Sequence, residues 1–294
     1  MTSPVLEMES TTRVLVISPH FDDAVLSAWA LLSLPNCPTD VLTVCGGVPV
    51  PTVTTKADRA CGFIDSEEAV SARRREDENA LSVVASWHGW LPLVDSQYLH
   101  APRDESDAQV LVQAVMAWVD EYGSPDAELA IAVPAGAGIR APHASSRRPS
   151  GRPPRGGAAF AWLRALKHQF AVRRRRRVLG DMAPVHPDHL FVRDTVLNTR
   201  ERFGSISVLL YEELPYLWSS KADGEVAALG EHEHFSADSF EIDIDQRLKQ
   251  QALSNYASQL TSIDPSGRLH EATLLPPSER YWRVRPHGEH KAWS

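Results

Sequence analysis

Five short apolar runs punctuate the chain, at Val14–Ser18, Asp40–Cys45, Glu128–Val133, Ser205–Tyr211 and Glu279–Val284. In VLVIS, DVLTVC and ELAIAV the apolar residues come in near-continuous succession rather than at every second position, which predicts strands covered on both faces. Longer segments of helical period lie between them. Helices are predicted over Ala24–Leu34, stopped by Pro35 and Asn36, over Ser66–Ala85 with Ser66 as N-cap, over Asp107–Glu121, from Asp188 or His189 to Arg202, and over Ile244–Leu260. Strands alternating with helices predict an α/β fold: a Rossmann-like, mostly parallel sheet with helices on both faces, forming one domain over residues 13–294. Residues 1–12 read as a flexible tail, 48–66 as a Pro- and Thr-rich loop placed to contact a ligand, and 219–240 as a polar excursion.

The exit of the first strand carries the chemistry. VLVISPHFDDAVL puts His20, Asp22 and Asp23 in a tight turn between a strand and a helix, at the C-terminal end of the strands, where parallel α/β sheets bind their ligands. A neutral imidazole and a carboxylate suit Zn2+, and a catalytic zinc takes three protein ligands and keeps a position open. The chain offers a partner far downstream in His186-Pro187-Asp188-His189, so His20, Asp23 and one of the later histidines would complete the set, with Asp22 left as a base.

SPHFDDAVLS and HPDH resemble the motifs of the PIG-L/LmbE-like family of zinc-dependent N-acetylglucosamine de-N-acetylases. The similarity continues through RRREDENAL at Arg73–Leu81, LVDSQYL at Leu93–Leu99, YEELPY at Tyr211–Tyr216, YASQL at Tyr256–Leu260 and ERYW at Glu279–Trp282. What the resemblance implies is a hydrolase that removes an N-acetyl or other N-acyl group from an amino sugar on a larger carrier, such as a natural-product glycoside or a thiol-sugar precursor. His20, Asp23 and His189 would be the metal ligands and Asp22 the general base. His186 would stabilise the oxyanion, with Asp188 orienting it. An Arg and a Glu of RRRE would turn inward to support the metal loops, and Arg73 is taken as a substrate contact. Asp95 could accept a substrate hydroxyl or cap its own loop, and Glu212, at the end of a strand, could contact substrate. Two flanks depart from the family pattern: Phe21 and Ala24 bracket the Asp pair, and Trp29-Ala30 stands where a Gly-Gly pair is usual, so a bulky ring must fill the pocket or turn into the core.

Composition adds one qualification. The chain carries 30 Lys and Arg against 38 Asp and Glu, but residues 139–180 hold 12 of the basic residues and no acidic one. The remaining 18 basic residues face all 38 acidic ones, a net −20. This insert supports a rival reading, a non-catalytic protein that binds nucleic acid or another polyanion, although its arginines are not interleaved with the aromatic residues that base stacking needs. A nucleotide-binding oxidoreductase is disfavoured, since no G-x-G-x-x-G follows the first strand. Cys37, Cys45 and Cys61 form no C-x-x-C pair, which argues against a thiolate zinc site and, with no apolar leader at the N-terminus, points to a cytoplasmic protein. His232 and His234 read as exposed.

Overall fold

The computed structural model describes residues 12–125, 127–136, 186–218 and 221–286. Residues 1–11 of the predicted tail, the basic insert and the polyanion-binding surface proposed for it lie outside the described residues, whereas Thr12 opens the first strand.

Seven strands form one sheet in the order β3-β2-β1-β4-β5-β7-β6. The strands are β1 (Thr12–Ser18), β2 (Thr39–Thr43), β3 (Trp87–Trp90), β4 (Glu128–Pro134), β5 (Ser207–Tyr211), β6 (Phe235–Asp243) and β7 (Ser278–Pro286). The first five in sheet order run parallel, with Val16 of β1 beside Val41 of β2 on one side and beside Ala132 of β4 on the other. β7 and β6 close the far side as an antiparallel pair. The fold class read from the apolar runs is therefore the one observed.

Alternation along β1 sorts its side chains onto two cores. Val14 and Val16 face one layer with α1 (Asp23–Ser27), α2 (Trp29–Ser33) and the C-terminal helices. Leu15 and Ile17 face the other, with α5 (Glu105–Tyr122) and α6 (Pro187–Thr199). Trp29, the ring in the usual Gly-Gly position, turns into the first core at 4% exposure.

Several boundaries differ from the sequence reading for identifiable reasons. The helix expected over Ala24–Leu34 is two short helices, broken at Ala28, whose backbone leaves the helical region (φ −132°, ψ 25°). The loop over 48–66 contains a short helix, α3 (Lys56–Ala60), closed by a reciprocal capping box between Thr55 and Asp58. The N-cap of α4 (Ser66–Leu81) is Asp65, whose carboxylate accepts from the N–H groups of Glu67 and Glu68, while the Ser66 hydroxyl accepts from Val53 N–H. The polar excursion over 219–240 holds α7 (Asp223–Glu233) and the start of edge strand β6. An edge strand exposes alternate polar residues, and Gly224 and Gly230 dilute the helical signal, so neither stood out. The helix expected over Ile244–Leu260 is split into α8 (Gln246–Leu253) and α9 (Ala257–Ile263). The break lets Tyr256 enter the core, where its hydroxyl donates to Asp77 at 2.7 Å. Tyr256→Phe leaves buried Asp77 with one donor fewer and is expected to cost about 1–3 kcal/mol in a denaturant titration.

Candidate functional site

The turn after β1 is built by Ser18. Its hydroxyl donates to the carbonyl of His20 at 2.6 Å and accepts from Ala24 N–H at 3.0 Å, tying both ends of the His20–Asp23 turn to the strand. Asp23, first residue of α1, accepts from the backbone N–H of His20 at 2.9 Å. At the other side of the site His186 is the N-cap of α6, with Pro187 at its first position, so the helix opens one residue before the earliest predicted start. His189 then lies one turn in, at 2% exposure.

The two motifs meet at one oxygen. Asp23 Oδ2 lies 3.0 Å from His20 Nδ1 and 3.3 Å from His189 Nε2. The far nitrogen of each ring is held by a second carboxylate: His20 Nε2 faces Asp188 Oδ2 at 3.2 Å, and His189 Nδ1 faces Glu213 Oε1 at 3.3 Å. Histidines that bind metals are oriented in this way, by a carboxylate on the ring nitrogen that does not bind. His186 joins the cluster too: one nitrogen from each of His20, His186 and His189 lies within 4.8 Å of the others, and so do donors from His20, Asp95, His186 and Asp188. Nitrogen and carboxylate donors at this spacing fit a zinc-class divalent cation.

The electrostatics follow from crowding. Burial and the adjacent Asp23 push the Asp22 carboxyl up to about 7, against a smaller pull from His20 and Arg73. Burial also penalises an ionised Asp23, yet His189 and His20 outweigh it and hold that carboxyl well below the usual range. Burial pushes His189 down, but Asp23 and Glu213 prevail and lift it to about 9. His20 is raised likewise, with Asp95, Asp188 and Asp23 overcoming burial. His186 goes the other way, to about 4, because burial and the charges of His20 and His189 act together. Imidazoliums gathered on Asp23 are the positive charge that a divalent cation would supply instead.

These groups line a cavity of about 380 Å³ that also takes in Arg73, Asp95, Gln97 and Tyr216. Two cavities of about 580 Å³ are larger, at the strand N-termini and beside edge strand β3. Neither gathers three potential metal donors among the described residues.

Arg73 does turn inward: it lies 3.9 Å from Asp58, lines the cavity, and has a buried Nε with no hydrogen-bond partner among the described residues. Glu76 turns inward as well, toward α9, accepting from Ser258 and Gln259. Asp95 caps its own turn, accepting from Gln97 N–H and Nε2, and still faces the cavity 3.9 Å from His20 Nε2. Asp188 is bound chiefly to Arg103, Ser96 N–H and His20 rather than to His186, which it approaches only at 3.7 Å. Glu212 does not reach the site. Its carboxylate accepts from Ala222 N–H at 3.0 Å and faces a separate depression with Lys221 and Arg280. Neighbours in an extended chain point to opposite sides, so Glu213 is the residue that enters. It was missed although it stands next to Glu212, and alternation from buried Tyr211 could have found it. Arg103 carried no signal in the sequence.

Gly136 completes the support of Glu213, donating its N–H to Oε1 at 2.9 Å. Its φ of +81° and the Arg193 guanidinium, 2.4 Å from where a Cβ would stand, leave no room for a side chain. Gly136→Ala is expected to cost about 1–3 kcal/mol from backbone strain, before the displacement of Arg193 is counted, measured by chemical denaturation.

No protein-family model matches this chain, and no curated protein matches it either. Solved structures do. A deacetylase of the teicoplanin biosynthesis pathway, in a complex with bog, is 21% identical with a TM-score of 0.61, over 94% of this chain and 99% of that one. Teicoplanin deacetylase Orf2 in its zinc-inhibited form is 22% identical with a TM-score of 0.58, over 94% and 99%. The A40926 pseudoaglycone deacetylase Dbv21 is 22% identical with a TM-score of 0.58, over 95% and 100%. At these identities the similarity establishes a shared fold along nearly the whole chain.

Proposed function

We propose that this chain is a metal-dependent amide hydrolase of the PIG-L/LmbE-like kind, removing the N-acetyl or a related N-acyl group from a glucosamine-type sugar on a larger carrier. The observation that carries the reading is the convergence of His20 Nδ1 and His189 Nε2 on Asp23 Oδ2, with Asp188 and Glu213 behind the rings. The fold shared with deacetylases of teicoplanin and A40926 pseudoaglycone supports it and favours a natural-product glycoside as carrier.

In this reading His20, Asp23 and His189 hold zinc or another divalent ion, which when bound brings the pKa of water toward 7 and polarises a carbonyl. Asp22 lines the cavity beside them with its carboxyl lifted to about 7, suited to take a proton at neutral pH and return it to the departing amine nitrogen. His186 acts as a neutral donor. Asp188 N–H donates to its Nδ1 at 3.3 Å, which leaves the ring hydrogen on Nε2 for the oxyanion. Arg73, whose Nε has no partner among the described residues, and Asp95 line the same cavity and would bind sugar hydroxyls.

The test is metal analysis of the purified protein together with acetate release from N-acetylated sugars and glycopeptide glycosides, with and without chelator. Near-stoichiometric metal and release that stops on chelation and returns on adding zinc are expected. A protein that takes up no metal would overturn the reading.

A further inference from the structure

The Arg103 side chain, just before α5, is 6% exposed, and all three of its guanidinium nitrogens are engaged. Nε and Nη2 both meet Asp188 Oδ1 at 2.8 Å. Nη2 also reaches the carbonyl of Val94 and, at 3.1 Å, Cys45 Sγ, while Nη1 meets Asp107 Oδ2 at 3.2 Å. The guanidinium carbon lies 5.0 Å from the centre of the Phe191 ring. Contacts to four separate segments leave this planar fork one orientation, and so leave one orientation to the carboxylate it grips.

That carboxylate divides its work by oxygen. Oδ1 belongs to Arg103, whereas Oδ2 accepts from Ser96 N–H at 2.9 Å and faces His20 Nε2 at 3.2 Å. His20 lies within 3.0 Å of Asp23, 3.2 Å of Asp188 and 3.9 Å of Asp95. Among the described residues, Arg103 is the one arginine or lysine ion-paired with any of these three carboxylates. Without it, Asp188 would keep only the Ser96 N–H on Oδ2 and could turn about that bond, and His20 could swing toward either acid on its Nε2 side.

We propose that Arg103 is a positioning residue for the metal centre: it locks the Asp188 carboxylate so that Oδ2 holds His20 Nε2, which keeps His20 Nδ1 turned to Asp23. The inference rests on the metal-binding reading above. A lysine could supply the charge but not the fork, since its single ammonium cannot take the separate places of Nε and Nη2 on Asp188 and of Nη1 on Asp107.

The molecule contains its own control. Arg13 grips Asp40 with the same fork, Nε at 2.6 Å and Nη2 at 2.8 Å, at the N-terminal end of β1, the opposite end of the strand from the metal turn. Arg103→Lys and Arg13→Lys are therefore the same chemical change at two places. Zinc and cobalt affinities of wild type and both variants, measured by chelator competition alongside thermal melts, separate positioning from general stability. Arg103→Lys is expected to bind metal 10–100-fold more weakly, as loss of an outer partner of a metal-bound histidine does, and to regain most of its turnover at saturating metal. Arg13→Lys is expected to melt earlier with its metal affinity unaltered. Equal affinities for wild type and Arg103→Lys, or equal losses in the two variants, would overturn the proposal. A wild type that binds no metal would instead refute the reading beneath it.

Discussion

Asp22→Asn is expected to keep its metal and lose 100- to 10,000-fold in turnover, the range that a positioned general base contributes, or about 2.7–5.5 kcal/mol of barrier. The separation of these two effects comes from geometry. Asp23 and the histidines are bound to one another, whereas the Asp22 carboxylate accepts from its own backbone N–H and, among the described residues, from no other side chain. Asn matches its shape and cannot accept the proton. Stability should move the other way. Burial and Asp23 raise this carboxyl to about 7 in the folded protein, above its ordinary 3.8, so ionising it opposes folding. The penalty grows as pH rises from about 4 and is complete above about 7. The metal-free Asn variant should therefore unfold at an equal or higher denaturant concentration than wild type at pH 8. Zinc content, steady-state turnover and a denaturation curve on the same preparation check all three. If zinc and activity fell together, Asp22 would be a ligand and the base would have to be sought elsewhere.

How much of this could be read from residues alone varies with the physical signal. The sheet was legible because its central strands are covered on both faces and must be apolar throughout. The His20–Asp23 turn was legible because three chemical groups stand within four residues. The partners of those groups were not. Glu213 was hidden by period-two alternation: one of two adjacent acids has to face inward, and the buried Tyr211 points to Glu213 rather than Glu212. Arg103 reaches Asp188 across 85 residues, and its seat depends on where β2, the 94–96 loop and α6 come together, a tertiary fact with no local pattern. Asp188 shows the same limit in milder form. Its place beside His186 in sequence predicts a partnership, yet its carboxylate is bound to Ser96 N–H, Arg103 and His20 and comes only within 3.7 Å of His186 Nδ1.

Asp23→Ala is expected to remove metal binding, and acetate release with it, beyond the 10–100-fold that loss of an outer partner costs. Asp23 Oδ2 is the single atom on which His20 N–H, His20 Nδ1 and His189 Nε2 converge, so alanine takes away a ligand and the device that aims the other two. Glu213→Gln makes the contrast. It keeps a hydrogen-bond acceptor for His189 Nδ1 and for Gly136 N–H, and should weaken the metal only within the outer-partner range. The predicted order of affinity is thus wild type, then Glu213→Gln, then Asp23→Ala, read by chelator competition. The comparison also decides between two donor sets that the geometry places side by side. One ring nitrogen each of His20, His186 and His189 lie within 4.8 Å of one another, close enough for His186 to serve in place of Asp23. Should Asp23→Ala keep wild-type zinc, the three histidines would be the ligands and His186→Ala the variant that loses the metal. His186→Ala that keeps its zinc while turnover falls would support the oxyanion role proposed for His186, whose Nδ1 accepts from Asp188 N–H and leaves the ring hydrogen on Nε2.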